Sequence, residues 1–178
     1  GTGNQTTQTA NNLPAGNYSV TITDDVGCQA TANITVNEPN AINATQTPTD
    51  PGCFGACDGS IVVNAPTGGT PGYQYNLNGG AFQGSGTFNG LCDGHYNVIV
   101  EDANGCQFPI NNINLTEPTD VTLVETGMNP STCGASNGDL TVAAGGGTPP
   151  YQYDIGGAQQ GSPTFTGLAA GAYTVTVS

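Results

Sequence analysis

One phrase occurs three times in this chain at nearly constant spacing: Leu13-Pro-Ala-Gly16-Asn-Tyr18, Leu91-Cys-Asp-Gly94-His-Tyr96 and Leu168-Ala-Ala-Gly171-Ala-Tyr173, the copies lying 78 and then 77 residues apart. Other phrases return with it. Gly69-Thr-Pro-Gly-Tyr73-Gln-Tyr75 becomes Gly147-Thr-Pro-Pro-Tyr151-Gln-Tyr153, Gly27-Cys28-Gln29 becomes Gly105-Cys106-Gln107, and Glu38-Pro39 becomes Glu117-Pro118. Ordered phrases at one period mean tandem units. They divide the chain into the C-terminal part of a first unit (1–40), a complete middle unit (41–118) and the N-terminal part of a third (119–178). In this phase Gly1 aligns with Gly79, so the chain is expected to be a window on a longer array. A unit this short buries a small core, and chains of that size often need a staple, an assembly partner or very regular packing.

Within each unit the apolar residues alternate with period two, as in Tyr96-Asn-Val98-Ile-Val100, Tyr173-Thr-Val175-Thr-Val177 and Tyr73-Gln-Tyr75-Asn-Leu77. That is the period of a strand with one face buried. Asn78-Gly79-Gly80, Asp102-Ala-Asn104-Gly105 and Gly156-Gly157 fall between such runs, where tight turns need residues that tolerate positive φ. No stretch has a helical period, and glycine and proline recur too often to allow one. In the middle unit strands are expected near 41–47, 60–65, 72–78, 80–83, 86–90, 95–102 and 107–116. Seven short strands with frequent turns predict an all-β chain of immunoglobulin-like β-sandwich repeats. Leu-x-x-Gly-x-Tyr fits the tyrosine corner of such sandwiches, in which the Tyr hydroxyl bonds back to upstream backbone. This gives Leu13, Gly16, Tyr18, Leu91, Gly94, Tyr96, Leu168, Gly171 and Tyr173 structural roles.

The charge inventory narrows the partners. Only 7% of residues are charged, where soluble domains have about 25%. Lysine and arginine are absent, and 13 acids give a net charge of −13. Nucleic acid and anionic membrane surfaces both require basic side chains, so neither is an expected partner. Schiff-base chemistry and Lys–Asn crosslinks are excluded with the lysines. No apolar run is long enough to span a bilayer. An even cysteine count, six in this acidic chain, reads as disulfides formed in an oxidising, extracellular space.

The motifs Cys53-Phe-Gly55, Asp58-Gly-Ser-Ile61, Gly68-Gly-Thr-Pro-Gly-Tyr73, Leu91-x-x-Gly94-x-Tyr96 and Asp102-Ala-Asn-Gly-Cys106 together resemble the SprB repeat of gliding-bacterial surface adhesins. The resemblance covers the middle unit and both partial ones. It implies a large secreted cell-surface protein built of many modules and used in adhesion or gliding, and it implies no enzyme.

Cys57 and Cys92 occur only in the middle unit, where the third has Ser136 and Ala169. Appearing and vanishing together, and lying at one end of the expected sandwich, they are predicted to pair. Cys53 with Cys133 and Cys28 with Cys106 form two further families whose partners stay open. Bonds across stacked module junctions, bonds within a unit through a distorted first strand, and free thiols or bonds between chains are the alternatives. A zinc site lacks a second Cys pair, and the single His95 is replaced by Asn17 and Ala172 in the other copies.

No acid or histidine recurs as a close pair with a nucleophile, so no catalytic residue is expected, and neither His95 nor Asp93 is given a catalytic role. Calcium is the one cofactor candidate, through Asp24, Asp25, Glu101 and Asp102 in equivalent turns, with Asp58 and Asp93 at the other end of the middle unit. The competing reading is that Asp-x-x-Gly is hairpin-turn chemistry. Sequons stand at Asn4, Asn17, Asn33, Asn43 and Asn114. Tyr73, Tyr75, Tyr151, Tyr153, Phe82, Phe88 and Phe165 are in register with core positions and are expected inside the sandwich, not stacked on sugars. The function expected is a non-catalytic structural array at the cell surface. Its expected partners are other copies of itself, with surface glycans or other cells as alternatives.

Overall fold

The computed structural model describes residues 8–178. Among them the chain is all-β. The first unit is the hairpin of β1 (Gly16–Thr23) and β2 (Gln29–Val36). The middle unit holds β3 (Gln46–Thr49), β4 (Gly59–Val63), β5 (Gln74–Leu77), β6 (Thr87–Leu91), β7 (Gly94–Glu101) and β8 (Gln107–Leu115). The third holds β9 (Thr122–Asn129), β10 (Gly138–Gly145), β11 (Tyr153–Asp154), β12 (Thr164–Leu168) and β13 (Thr176–Val177).

All pairings are antiparallel. The middle unit forms two sheets, β3-β4-β6 and β5-β7-β8, and the third unit repeats the plan with β9-β10-β12 and β11-β13. Alternation places Ile61, Val63, Tyr75, Val98, Val100, Ile113 and Leu115 between the two middle sheets, joined by Ile42 from the segment ahead of β3. Tyr73, Leu77, Phe88 and Leu91 pack around them. The third unit assembles a smaller core of Val142, Tyr153 and Phe165 with Tyr151 against it, while Phe82 is half-buried outside these clusters. These antiparallel layers with apolar inner faces fit β-sandwich repeats.

Two of the seven expected middle strands are altered. Residues 80–83 contribute one bridge, Tyr75 with Gln83, because the Gln83 amide bonds the carbonyls of Ser85 and Thr87 and turns the chain away at once. The strand expected at 41–47 begins only at Gln46; ahead of it Asn43 makes a single bridge to Thr67.

The cause of that late start is a double glycine. Gly68 and Gly69 both hold positive φ, 74° and 60°, and the Gly69 N–H donates to Asn40 O at 2.6 Å. A Cβ on Gly68 would drive into the Ala41 carbonyl, and one on Gly69 would lie 2.7 Å from Ile42 Cγ1. The third unit does the same with Gly146 and Gly147 against Asp120 and Val121. Tyr73 then donates its hydroxyl to Gly68 O, and Tyr151 to Gly146 O. The Gly-Gly-Thr-Pro-x-Tyr phrase is thus the clamp that fixes where each unit begins its first sheet.

Small length differences between units are taken up as bulges. Cys28 to Glu38 spans ten residues, whereas Cys106 to Glu117 spans eleven. The additional residue sits where β8 slips against β7 between Tyr96 and Val98. Asn112 adopts φ 60° there, and its N–H bonds Asn97 Oδ1 at 3.1 Å.

Gly68 and Gly79 share a φ of 74°, but a Cβ on Gly79 meets nothing within 4 Å. An alanine at either site has to hold a left-handed conformation, at about 1–2 kcal/mol. Amide exchange at Val98 and Val100 should therefore report a loss of that order in G79A and a clearly larger one in G68A. Equal losses would show that the approach of Ala41 is not a constraint.

Candidate functional site

The recurring residues gather at the two ends of the middle sandwich. β7 runs from Gly94 at one end, the corner end, to Glu101 at the other, the hairpin end. Eight residues at about 3.3 Å each separate them.

At the corner end each Tyr hydroxyl donates to the carbonyl four residues earlier: Tyr18 to Pro14 O at 2.6 Å, Tyr96 to Cys92 O at 3.0 Å and Tyr173 to Ala169 O at 3.0 Å. The glycine of the phrase lies beneath the ring in two copies; a Cβ on Gly16 would be 3.8 Å from Tyr18 and one on Gly94 4.0 Å from Tyr96. Gly171 has nothing within 4 Å. Leu91 and Leu168 pack against the two cores, and Leu13 is half-buried.

Cys57 and Cys92 are joined in a disulfide with Cα atoms 3.9 Å apart. The bond ties the loop ahead of β4 to the corner itself, since Cys92 O is also the acceptor of Tyr96. Asp58, beside Cys57, accepts from Gly52 N at 2.9 Å, and in the third unit Asn137 accepts from Thr132 N at 2.9 Å. Two anchors here join residues far apart in the sequence. Asp50 takes the N–H and hydroxyl of Thr116, and Glu117 takes the N–H of Gly55 at 2.7 Å, so the end of β8 is lashed to the loop after β3.

Cys28, Cys53, Cys106 and Cys133 are exposed free thiols. The loops carrying Cys53 and Cys133 differ by a residue. Ala56 N bonds Cys53 O, whereas Ala135 N bonds Thr132 O, so within the turn Cys133 takes the place of Phe54.

At the hairpin end Asp102 is 4% exposed. Its Oδ1 accepts from Asn104 N and Cys106 N, both at 2.9 Å, and its Oδ2 from Thr70 N at 2.8 Å. The N–H of Thr70 is the main reason its carboxyl titrates below the usual value; burial opposes the shift, and the N–H groups of Cys106 and Asn104 add to it. Asp24 repeats the turn bonds, accepting from Val26 N at 3.1 Å and Cys28 N at 2.7 Å. Glu101 accepts from Gln107 Nε2 at 2.6 Å, and Asp25 is exposed. Of the four calcium candidates, Asp24 and Asp102 bind turn N–H groups, Glu101 binds a side-chain amide and Asp25 faces solvent. Among the described residues no group of three or more His, Cys, Asp or Glu side chains could hold a metal ion.

Asn17, Asn33, Asn43 and Asn114 are exposed, with Asn17 Oδ1 accepting from Thr35 Oγ1 at 2.7 Å; Asn4 lies outside the described residues. His95 is exposed and stands opposite Asn114 in the β7–β8 ladder, and Asp93 is exposed beside it. Burial, then the neighbouring Tyr73, raises the phenol pKa of Tyr75.

The recurring tyrosines and turn aspartates thus hold their own unit's backbone, as in a structural β-repeat. The model of the SprB repeat matches residues 45–82 and again residues 128–160, one stretch in the middle unit and one in the third. The SprB repeat is a structural repeat that occurs in cell-surface proteins. No curated protein matches the chain.

The disulfide spans 35 residues, which the chain-entropy account values at about 3–4 kcal/mol. Replacing it with the residues of the third unit, C57S with C92A, should lower the opening free energy of the β4 and β7 amides by that amount. An unchanged exchange pattern would remove the disulfide from the stability of the unit.

Asp102 gives a pH prediction of fixed sign. Its folded pKa lies below the 3.8 of a free carboxyl, so its stabilising effect is complete above 3.8 and is lost as pH falls through the folded value. Protection of the Thr70, Asn104 and Cys106 amides should follow that loss, and D102N should abolish its pH dependence. Acid-independent protection in the unaltered chain would show that the carboxylate charge is not what holds the turn.

Proposed function

We propose that this chain is a non-catalytic run of structural repeats in an extracellular surface protein, serving as the stalk or fibre of an adhesin or filament. The observation that carries the reading is the use made of the repeated polar groups. The hydroxyls of Tyr18, Tyr96, Tyr173, Tyr73 and Tyr151, and the carboxylates of Asp24 and Asp102, all bond nearby backbone. A binding or catalytic constellation keeps such groups directed at a ligand; here the repeat is maintained by what its own folding requires. The remaining features suit an extracellular setting. A disulfide persists in an oxidising space, and a chain with no lysine or arginine offers trypsin-like proteases no cleavage site.

The competing reading is a glycan-binding adhesin module. The whole chain, labelled and applied to a glycan array, is expected to give no saturable binding. Reproducible binding to one sugar class, lost on free-sugar competition, would replace the stalk reading with a lectin one.

A further inference from the structure

The Glu-Pro phrase at 38–39 and again at 117–118 stands where the chain passes from one unit to the next. The crossing from the middle unit to the third, Thr116-Glu-Pro-Thr-Asp-Val121, joins the end of β8 to the start of β9. Units joined by a short polar linker swing against each other by default. Here both halves of the crossing are held. On the middle unit's side, Thr116 gives its N–H to Asp50 Oδ1 at 2.9 Å and its hydroxyl to Asp50 Oδ2 at 3.3 Å. Glu117 reaches back to accept the Gly55 N–H at 2.7 Å, and Glu117 and Pro118 are half-buried. On the third unit's side, Thr119 O accepts the Gly147 N–H at 2.7 Å. The Asp120 carbonyl lies so close to Gly146 that a Cβ there would strike it.

Between the two grips stands Pro118. Its ring fixes its own φ at about −65°, and its Cδ keeps Glu117 out of the helical region. The hold on the incoming chain recurs one unit earlier. Asn40, which follows Pro39 as Thr119 follows Pro118, accepts the Gly69 N–H through its carbonyl at 2.6 Å, and the Ala41 carbonyl packs on Gly68. The second glycine of each pair thus takes hold of the residue directly after the proline. Neither crossing contains glycine, in a chain that has 28, so neither includes the residue type that turns most freely.

We propose that this Glu-Pro-x crossing is a rigid joint that keeps the middle and third units in one relative orientation. Glu117 is fastened to the unit behind, Thr119 to the unit ahead, and the proline stiffens the step between them. This deepens the stalk reading above and rests on it, since it makes the stalk a stiff rod and not a string of beads. The direction of the chain suits a rod. It enters the middle unit beside Gly69, where an added Cβ would lie 2.8 Å from Asp102 Oδ2 at the hairpin end, and it leaves at the corner end, where Leu115 stands opposite Gly94. Units joined in this sense follow one another corner end to hairpin end, and their lengths add.

The test is the set of residual dipolar couplings of backbone amides in the whole chain, weakly aligned, with its exposed thiols alkylated without reduction so that Cys57–Cys92 stays closed. Amides of β4, β7 and β8 report the middle unit, and those of β10 and β12 the third. In the unaltered chain both sets should fit a single alignment tensor of one magnitude. The double variant E117A/P118G removes the acceptor from Gly55 and frees the step between the grips. In it the third unit's couplings should shrink relative to the middle unit's, while amide exchange at Val98 and Val142 stays unchanged and verifies that both units are folded. Different tensor magnitudes for the two units of the unaltered chain, or one shared tensor kept by the folded variant, would each overturn the joint. Those outcomes leave the stalk reading standing as a flexible stalk, whereas saturable glycan binding would end that reading and leave the couplings as they are.

Discussion

A short strand sandwich with few charges depends on having its chain ends held, and in this protein the holding is done by side chains bonded to nearby backbone. Sheets β3-β4-β6 and β5-β7-β8 bury a limited set of aliphatic residues between them, and no ion pair is available to lock their edges when the chain has neither lysine nor arginine. The tyrosine hydroxyls supply part of that fixing. At the corner, Tyr96 bonds the carbonyl of Cys92, the residue that the disulfide joins to Cys57; ahead of β5, Tyr73 bonds Gly68 O and closes the double-glycine clamp. Each bond replaces a water partner on a carbonyl that would otherwise be left at the rim of the core.

The division of labour between the two ends follows from this. The corner end is cross-braced through Cys57–Cys92, Asp50 to Thr116 and Glu117 to Gly55. The hairpin end relies on Asp102, whose two oxygens join the β7–β8 turn to the Thr70 loop. Apart from the disulfide, these ties are polar and sit outside the apolar core, so the core itself can stay small and aliphatic. In Asp102 one carboxylate serves three peptide N–H groups, which makes this side chain the centre of the turn.

Much of the fold was legible because the repeat displays its own constraints. Period-two alternation located β5, β7 and β13, and the Leu-x-x-Gly-x-Tyr phrase marks three positions that share one hydrogen bond. What stayed hidden was long-range or conformational. Nothing around Asp50 or Glu117 advertises a bond to Thr116 or Gly55, because those partners lie more than sixty residues away. The late start of β3 depends on how near Gly68 comes to Ala41, a distance set by packing and not by local propensity. The mismatch between Cys53 and Cys133 arises because the two loops turn about different residues, which an alignment of letters does not register.

The bulge at Asn112 has a consequence for how arrays of this kind change over time. One added residue in β8 is absorbed locally, and beyond the slip Ile113 and Leu115 still face inward. β9 does likewise at Thr126 between the pairings of Gly127 and Glu125. A repeat with such shock absorbers accepts single-codon gains and losses without turning its apolar face outward. Recombination between misaligned copies, which scatters small length errors through tandem genes, can then lengthen or shorten the array while each unit keeps its own core.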